Sequence, residues 1–276
     1  MANTNAPRKL LVFTDLHLVN EGEQIIGIDP FMRFAEGLHH ALSQHPDAVG
    51  ILIMGDLTHQ GRTAQFQRLK AKLDGLPLPV TLMLGNHDNR AVFRKVFPDA
   101  PVTSAGHVQT MQELGDTVLI TLDTMDATVT PAHSGILCAD RLAWLERALT
   151  WADGRQALVA MHHPPVMTGF PGMDGIALQN PEPFRQMLRT YPGPVHVLCG
   201  HVHRTISGCA AGLPFTILKS TCHQQPMMLG AADTDHSVDE PGAYGIVLAG
   251  PDGIIVHSED FATAAAATPL RDPFSG

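Results

Sequence analysis

The amino-acid sequence predicts a layered α/β domain in which helices cover buried sheets. Two observations support this prediction: short continuous apolar runs recur along the chain, and amphipathic stretches with helical spacing lie between them. With 276 residues, the chain suits one large domain or a domain with a small appendage. Its hydrophobic content of 44% and charged content of 16% are those of a globular protein with a sizeable core.

Six apolar runs of about five residues predict strands that are buried on both faces, because a strand covered on one face alternates apolar and polar residues. In chain order the runs are Leu10–Thr14, Gly50–Met54, Val80–Leu84, Val118–Leu122, Ala157–Met161 and Val195–Cys199. Apolar residues at helical spacing predict helices between these strands. The three stripes are Phe31, Phe34, Leu38 and Leu42, then Leu142, Leu145 and Leu149, and then Phe184, Met187 and Leu188.

The pattern changes after Thr216. Two short apolar runs, Gly245–Leu248 and Ile254–His257, flank a Pro-Asp-Gly turn and predict a β-hairpin. The polar, irregular stretch from residue 227 to 241 predicts a loop or a contact with another subunit. For the two methionines at its start, Met227 and Met228, we expect packing in the core.

We expect one domain over residues 8–261 and a loosely ordered tail, rich in Ala and Pro, over residues 262–276. Within the domain, residues 217–261 form a C-terminal hairpin that can serve as a dimerisation appendage.

Charge and composition argue against several classes of protein. The net charge is −9 and the chain has only 18 Lys and Arg, whereas a nucleic-acid binder usually carries a basic face. The basic run from Arg68 to Lys72 is typical of the solvated face of a helix, so we do not expect long DNA or RNA as a substrate. No stretch approaches the roughly 20 apolar residues of a membrane span, and residues 1–8 lack an apolar signal region.

The cysteines favour a reducing, cytoplasmic environment. They show neither CxxC spacing nor the framework of a small secreted protein, and we expect them to be small core residues. They are Cys138, Cys199, Cys209 and Cys222.

Side chains that can bind metal ions follow five of the predicted strands. The segments are Asp15-Leu16-His17, Gly55-Asp56, Gly85-Asn86-His87-Asp88, His162-His163-Pro164 and Gly200-His201-Val202-His203. Each segment alone can be a turn or a chance pairing. Open α/β sheets, however, place their ligands at the carboxyl ends of strands, so the five together predict one site.

The types of ligand indicate the metals and the charge of the substrate. Asp, Asn and His without Cys suit manganese, iron or zinc. Because Asp15 and Asp56 are the two carboxylates of the set, two divalent ions would keep about two units of positive charge, which favours a phosphate ester as substrate.

This ordered series of motifs resembles the calcineurin-like metallophosphoesterase superfamily, and the resemblance extends from Leu10 to about His203. The Gly-Asp-Leu-Thr, Met-His-His-Pro-Pro and Cys-Gly-His-Val-His segments resemble those of bacterial class III cyclic nucleotide phosphodiesterases and of the related glycerophosphodiesterases. The resemblance implies a four-layer α/β/β/α sandwich with the site on one edge of the two sheets.

The resemblance also implies two metal sites that share Asp56. The first would consist of Asp15, His17, Asp56 and His203, and the second of Asp56, Asn86, His162 and His201. His87 matches a non-ligand histidine that stabilises the phosphoryl group or protonates the leaving group. His59 and His223 are candidates for substrate binding, with an exposed loop position as the alternative for His59.

For the remaining residues near the motifs we expect structural roles. His163 is expected to be structural, and Asp88 to fix a turn or orient a histidine. No role is assigned to the other histidines, which are His39, His40, His45, His107, His133, His196, His236 and His257.

The function implied is hydrolysis of a small phosphodiester of the 3′,5′-cyclic nucleotide type by a metal-bound hydroxide, with two divalent ions, manganese or iron before zinc. Two alternatives stay open: a hydrolase of glycerophosphodiesters or other alkyl phosphodiesters, and a metal-stabilised scaffold without catalysis. A homodimer or higher homo-oligomer is expected, and no membrane partner.

Overall fold

Two β-sheets form the centre of the fold in the computed structural model, which describes residues 6–230 and 236–262. In chain order the strands of these residues are β1 (Arg8–Phe13), β2 (Gly50–Met54), β3 (Val80–Met83), β4 (Thr110–Leu114), β5 (Thr117–Leu122), β6 (Ala157–Met161), β7 (Val195–Cys199), β8 (Ile206–Ala210), β9 (Leu213–Ile217), β10 (Ala243–Gly250) and β11 (Gly253–Asp260). The helices are α1 (Pro30–Gln44), α2 (Thr63–Leu73), α3 (Arg90–Val96), α4 (Ala139–Ala152), α5 (Pro171–Gly175) and α6 (Pro181–Thr190).

The strand order brings the carboxyl ends of the central strands to common edges. The first sheet has the order β11-β10-β1-β2-β3, and the second has the order β4-β5-β6-β7-β9-β8. Strands β1, β2 and β3 are parallel, as are β5, β6, β7 and β9. The outer strands β4 and β8 and the β10–β11 hairpin run antiparallel to their neighbours.

The two sheets pack face to face through a layer of apolar side chains. Leu10 and Leu52 of the first sheet belong to the same buried cluster as Leu119 and Leu158 of the second. The central strands are therefore covered on both faces, which explains their continuous apolar runs.

Helices cover the outer face of each sheet. Phe34 of α1 and Phe66 of α2 are buried with Phe13 against the first sheet. Leu145 of α4 and Phe184 of α6 are buried against the second sheet. The layers are therefore helix, sheet, sheet and helix, which confirms the predicted α/β/β/α sandwich.

Helix α1 shows how local sequence sets an element boundary. The Asp29 carboxylate accepts hydrogen bonds from the amides of Phe31 (2.9 Å) and Met32 (3.3 Å). Pro30 follows at the first helical position, where its missing N–H has no helical partner to lose. This arrangement starts the helix directly after the segment 19–29.

The six predicted strands are all present, with boundaries that differ by at most two residues. The predicted hairpin is β10–β11, and it is part of the first sheet because β10 pairs with β1. Of the predicted tail, residues 263–276 lie outside the described residues, as do residues 231–235 of the polar segment.

Two packing predictions are wrong. Met227 and Met228 are 63% and 42% exposed rather than packed in the core. Cys199 and Cys222 are buried as predicted, but Cys138 is only half-buried and Cys209 is exposed. Within the described residues, no helix is both long and apolar enough to cross a membrane.

Candidate metal centre

The motifs predicted from the sequence meet where the carboxyl ends of the two sheets adjoin. The amide of Asp15 donates to the carbonyl of Gly55 (3.1 Å), and the amide of His17 donates to the carbonyl of Asp56 (2.8 Å). The amide of His201, in the second sheet, donates to the Asp15 carboxylate at 3.1 Å. Backbone hydrogen bonds thus join the loops after β1 and β2, and the Asp15 carboxylate links them to the loop after β7.

Five of the seven candidate ligands have a left-handed backbone. The φ angle is 54° at Asp15, 48° at His17, 46° at Asp56, 72° at His201 and 55° at His203. Such conformations cost about 1–3 kcal/mol each in residues other than glycine and cluster at functional sites. Their concentration at one edge of the fold supports a functional role for this edge.

The first candidate metal site brings together the four side chains that the sequence predicted. One donor atom of each lies within 4.8 Å of the others. His17 Nε2 lies 3.1 Å from His203 Nε2 and 3.6 Å from the Asp56 carboxylate, and His203 Nε2 lies 3.2 Å from the Asp15 carboxylate. Four donors that converge this closely form a cradle for one cation.

The second candidate site is formed around Asn86. His162 Nε2 lies 3.2 Å from Asn86 Oδ1 and 3.4 Å from the Asp56 carboxylate. His201 Nδ1 lies 2.9 Å from the same Asn86 oxygen. Asp56 therefore borders both donor groups, as a bridging ligand must.

Backbone carbonyls orient two of the imidazoles. His162 Nδ1 lies 2.9 Å from the Met54 carbonyl, and His203 Nδ1 lies 2.8 Å from the His223 carbonyl. Because a carbonyl can only accept, Nδ1 is the donor in both contacts and Nε2 faces the cluster. Metal-binding histidines are typically held by this kind of second contact.

The electrostatics of the cluster also fit divalent cations. Burial keeps the pKa of His17 well below its usual value despite the Asp56 carboxylate, so its nitrogen lone pair is available. Burial lowers the pKa of His162 too, but the Asp56 and Asp15 carboxylates outweigh it and raise that pKa to about 9. The cluster therefore attracts positive charge. His201 Nε2 is buried and has no hydrogen-bond partner among the described residues.

Asp88 connects the loops that follow β2 and β3. Its carboxylate accepts from the amides of Leu57 (3.1 Å), Thr58 (3.0 Å) and Gly85 (3.0 Å), and from the Thr58 hydroxyl (2.8 Å). Burial and the nearby Asp56 carboxylate raise the pKa of Asp88 to about 7 against these hydrogen bonds. The prediction that Asp88 fixes a turn is confirmed.

A cavity of about 350 Å³ opens beside the ligands. The histidines along it that belong to neither donor group are His59, His87, His133 and His223. Its apolar lining consists of Ile25, Met173, Ile176 and Val202. Volumes of this order are typical of small-molecule sites.

His87 lies between the ligands and the cavity. Its amide donates to the Asp56 carboxylate (2.8 Å), and its ring lies edge-on to His17 with 4.7 Å between centroids. The ring of His59 stacks on His87 at 5.1 Å, and the His59 carbonyl lies 3.0 Å from His87 Nδ1. Nδ1 is therefore the donor in this contact, and His87 Nε2 remains for other partners.

His133 is a residue that the sequence did not identify. It was assigned no role, but its Nδ1 lies 3.1 Å from Asn86 Nδ2 and its ring is 5.2 Å from that of His87. Its backbone is left-handed, with a φ of 67°. No motif marks it, because a loop and not a strand end brings it to the cavity.

His163 supports the loop that carries His133. Its Nδ1 lies 2.7 Å from the Thr124 hydroxyl, and its Nε2 lies 3.1 Å from the His133 carbonyl. Both ring nitrogens are thus engaged within the fold, in agreement with a structural role.

Taken together, the double-sheet sandwich and the converging Asp, Asn and His donors at its edge define a metal-dependent hydrolase. Residues 8–205 match the calcineurin-like phosphoesterase family, which uses a two-metal centre. A Rhodopseudomonas palustris protein named a probable cyclic nucleotide phosphodiesterase is 38% identical over 254 residues, which are 92% of each chain. The chain belongs to the calcineurin-like phosphoesterase family.

One further relative agrees with this membership, and one solved structure agrees with the fold. The chain is 30% identical to the glycerophosphodiester phosphodiesterase GpdQ of Enterobacter lignolyticus, over 68% of this chain and 66% of that one. The solved structure of a dimetal phosphatase from Danio rerio superposes with a TM-score of 0.66 at 14% identity, covering 91% of this chain and 99% of that one. The family and fold predicted from the motifs are confirmed.

Proposed function

We propose that this protein hydrolyses small phosphodiesters of the 3′,5′-cyclic nucleotide type at a two-metal site. The observation that carries the proposal is the convergence of seven donor side chains into two groups that share Asp56. Two bound divalent cations would supply Lewis-acid activation of water and of the phosphoryl oxygens. Manganese and iron suit the mixed oxygen and imidazole donors best, and zinc is also compatible.

The ligand assignment in this proposal follows the two donor groups. Asp15, His17 and His203 would hold one cation with Asp56, and the second group would hold the other. The second group consists of Asp56, Asn86, His162 and His201. The Asp15 carboxylate accepts from the amide of His201, and His162 Nδ1 donates to the Met54 carbonyl. These contacts support the assignment, because ligands fixed by such partners would present their donor atoms to the cations without rearrangement.

His87 would act on the phosphoryl group and the leaving oxygen. Its amide holds the Asp56 carboxylate, and its ring lines the cavity beside that carboxylate. Because Nδ1 is held by the His59 carbonyl, Nε2 is the atom that would donate to a phosphoryl oxygen or to the departing alkoxide. His59, His133 and His223 would surround the rest of the substrate.

The lining of the cavity favours a cyclic nucleotide over a glycerophosphodiester. Ile25, Met173, Ile176 and Val202 provide an apolar surface close to the histidines. A nucleobase has an apolar face that can cover such a surface, whereas a glycerol group is polar throughout. The 38% identity over nearly the whole chain to a protein named a cyclic nucleotide phosphodiesterase supports the same choice.

The substrate class is tested with the purified, manganese-loaded chain. We expect turnover of 3′,5′-cyclic AMP to exceed turnover of glycerophosphocholine and of p-nitrophenyl phosphate, and chelation to abolish all three. Faster hydrolysis of glycerophosphocholine would favour the alkyl diester alternative. A folded, metal-loaded sample without turnover of any diester would favour the non-catalytic scaffold.

The role of His87 is tested by replacing it with alanine. We expect His87→Ala to retain two metal equivalents and to lower kcat by about 10²–10⁴, the usual contribution of a general acid. His257→Ala, at an exposed histidine of β11, is the matched control. A parallel loss of metal in His87→Ala would instead assign His87 to metal binding.

We propose in addition that the protein forms a homo-oligomer through the exposed segment that contains Met227 and Met228. Leu229, which is 64% exposed, extends the same apolar surface, and exposed apolar patches commonly mark interfaces. Sedimentation of the wild type and of a variant with Met227→Ser and Leu229→Ser tests this. A monomeric wild type would exclude it.

A further inference from the structure

A second cluster of reactive side chains lies at the start of α4, apart from the candidate ligands. The sulfur of Cys138, the residue that precedes this helix, accepts a hydrogen bond from Arg141 Nε at 3.3 Å. His107 Nε2 lies 3.7 Å from the same sulfur. Cys138 is half-buried, so a small reagent can reach the thiol from solvent.

The surroundings of Cys138 stabilise the thiolate. Burial raises the pKa of the Cys138 thiol, but the hydrogen bond from the Arg141 guanidinium and the amides of Arg141 and Asp140 outweigh burial and lower it. The first turn of a helix contributes in the same direction. The Asp140 carboxylate lies within 4.8 Å of the sulfur, but Asp140 is exposed to solvent. A second carboxylate, that of Asp126, is paired with the Arg141 guanidinium.

Arg141 is fixed in place beside the sulfur. It is only 1% exposed, and its Nη1 donates to the carbonyls of Asp123 (2.9 Å) and Met125 (3.1 Å). Its Nη2 pairs with the Asp126 carboxylate at 3.0 Å. A fixed guanidinium stabilises a thiolate but repels a metal cation, so we do not interpret the grouping of His107, Cys138 and Asp140 as a metal site.

The imidazole of His107 faces the sulfur through Nε2. Its other nitrogen, Nδ1, is buried and has no hydrogen-bond partner among the described residues. The chain turns directly after this residue, where the amide of Gln109 donates to the carbonyl of His107 at 3.2 Å.

We propose that Cys138 is a modification site, a thiolate that small hydroperoxides oxidise to a sulfenic acid. The sulfur attacks one peroxide oxygen, the O–O bond breaks and an S–O bond forms. Sulfur loses two electrons to the peroxide, and with hydrogen peroxide the departing hydroxide takes a proton from solvent and leaves as water.

The other cysteines provide internal comparisons. Cys199 and Cys222 are buried, and burial raises the pKa of the Cys222 thiol to about 12, so they should remain unmodified. Cys209 is more exposed than Cys138. Accessibility alone therefore predicts faster reaction at Cys209, and the thiolate environment predicts faster reaction at Cys138.

The test is peptide-level mass spectrometry on the full chain in the presence of manganese. With iodoacetamide at pH 7, we expect Cys138 to be alkylated about tenfold faster than Cys209. After brief exposure to hydrogen peroxide, a 1,3-dione probe specific for sulfenic acids should label Cys138 selectively, and Cys138→Ser should abolish this signal while Cys209→Ser preserves it. Alkylation of Cys138 no faster than that of Cys209, or equal dione labelling of both, would overturn the proposal.

Two variants address the cause of the reactivity. Arg141→Met removes the buried guanidinium and should slow alkylation of Cys138 to the rate of Cys209 or below, because Cys138 is the less exposed of the two. Since this substitution also removes hydrogen bonds that support the fold, His107→Gln at a half-buried position provides a second variant, and it should slow alkylation at least twofold. Unchanged rates in the folded His107→Gln protein would overturn the assignment of His107 to this site.

Discussion

Replacing Asp88 by asparagine tests whether this carboxylate holds the candidate site together. One carboxylate oxygen accepts from the amides of Leu57 and Gly85, and the other accepts from the amide and hydroxyl of Thr58. In Asp88→Asn the remaining oxygen can still accept from Leu57 and Gly85, and the new NH₂ group then faces Thr58, whose hydroxyl can accept a hydrogen bond. The buried amide of Thr58 loses its acceptor.

The expected cost follows from these contacts. A buried donor left without a partner costs about 1–3 kcal/mol. Burial disfavours the charged carboxylate, as the raised pKa of Asp88 shows, and the neutral amide recovers part of this cost. We therefore expect a net destabilisation of about 2 kcal/mol, which lowers the Tm by roughly 4–8 °C.

Differential scanning calorimetry measures this change, once with chelator and once with manganese. Working with chelator isolates the hydrogen bonds from any loss of metal. Asp116→Asn, the same substitution in the exposed turn between β4 and β5, is the matched control and should change the Tm by less than about 2 °C. An equally small change in Asp88→Asn would refute the reasoning.

Three further predictions follow from the structure. Manganese at about 100 times its Kd should stabilise the fold by about 2.7 kcal/mol and raise the Tm by roughly 5–10 °C. A Tm that is the same with manganese and with chelator would contradict the metal site. A Cβ at Gly135 would lie 2.5 Å from His163 Cγ, whereas one at Gly175 meets nothing within 4 Å. Gly135→Ala should therefore cost about 1–3 kcal/mol in urea unfolding and Gly175→Ala much less; equal effects would argue against this tight packing. Burial lowers the pKa of His196 below 6.5, so protonation of this ring favours the unfolded state. The free energy of unfolding is therefore unaffected by this residue above pH 6.5 and decreases as the pH falls below 6.5. The urea midpoint of the wild type should fall more between pH 7 and 5 than that of His196→Gln, and parallel curves would show that His196 is not responsible.

Sequence patterns predicted the centre of the fold because its strands are covered on both faces. The runs that became β2, β6 and β7 have the predicted boundaries, since every residue of β2 and β6 is buried and only apolar side chains fit. The edge strands β4 and β8 were not predicted. Strand β8 is largely exposed and reads Ile-Ser-Gly-Cys-Ala, and such a segment has neither an apolar run nor regular alternation.

The same limit applies to the candidate site. Ligands that directly follow a strand could be read from the chain, because the strand end fixes where they point. His133 and the cluster around Cys138 could not, since each depends on a loop or helix start that contacts a segment far away in sequence. His107, for example, meets a sulfur 31 residues further along the chain.

The left-handed backbone at five candidate ligands also indicates which substitutions could accumulate if the site were no longer needed. Glycine adopts this conformation without strain, so glycine at a candidate ligand position would relieve the backbone strain there but would also remove contacts such as the hydrogen bond from the His201 amide to the Asp15 carboxylate. Such a change raises stability only where the relieved strain exceeds the lost contacts, and it can spread once selection for hydrolysis ends. Glycine at these positions in a descendant that keeps the sandwich would therefore identify a protein that has lost the metal site.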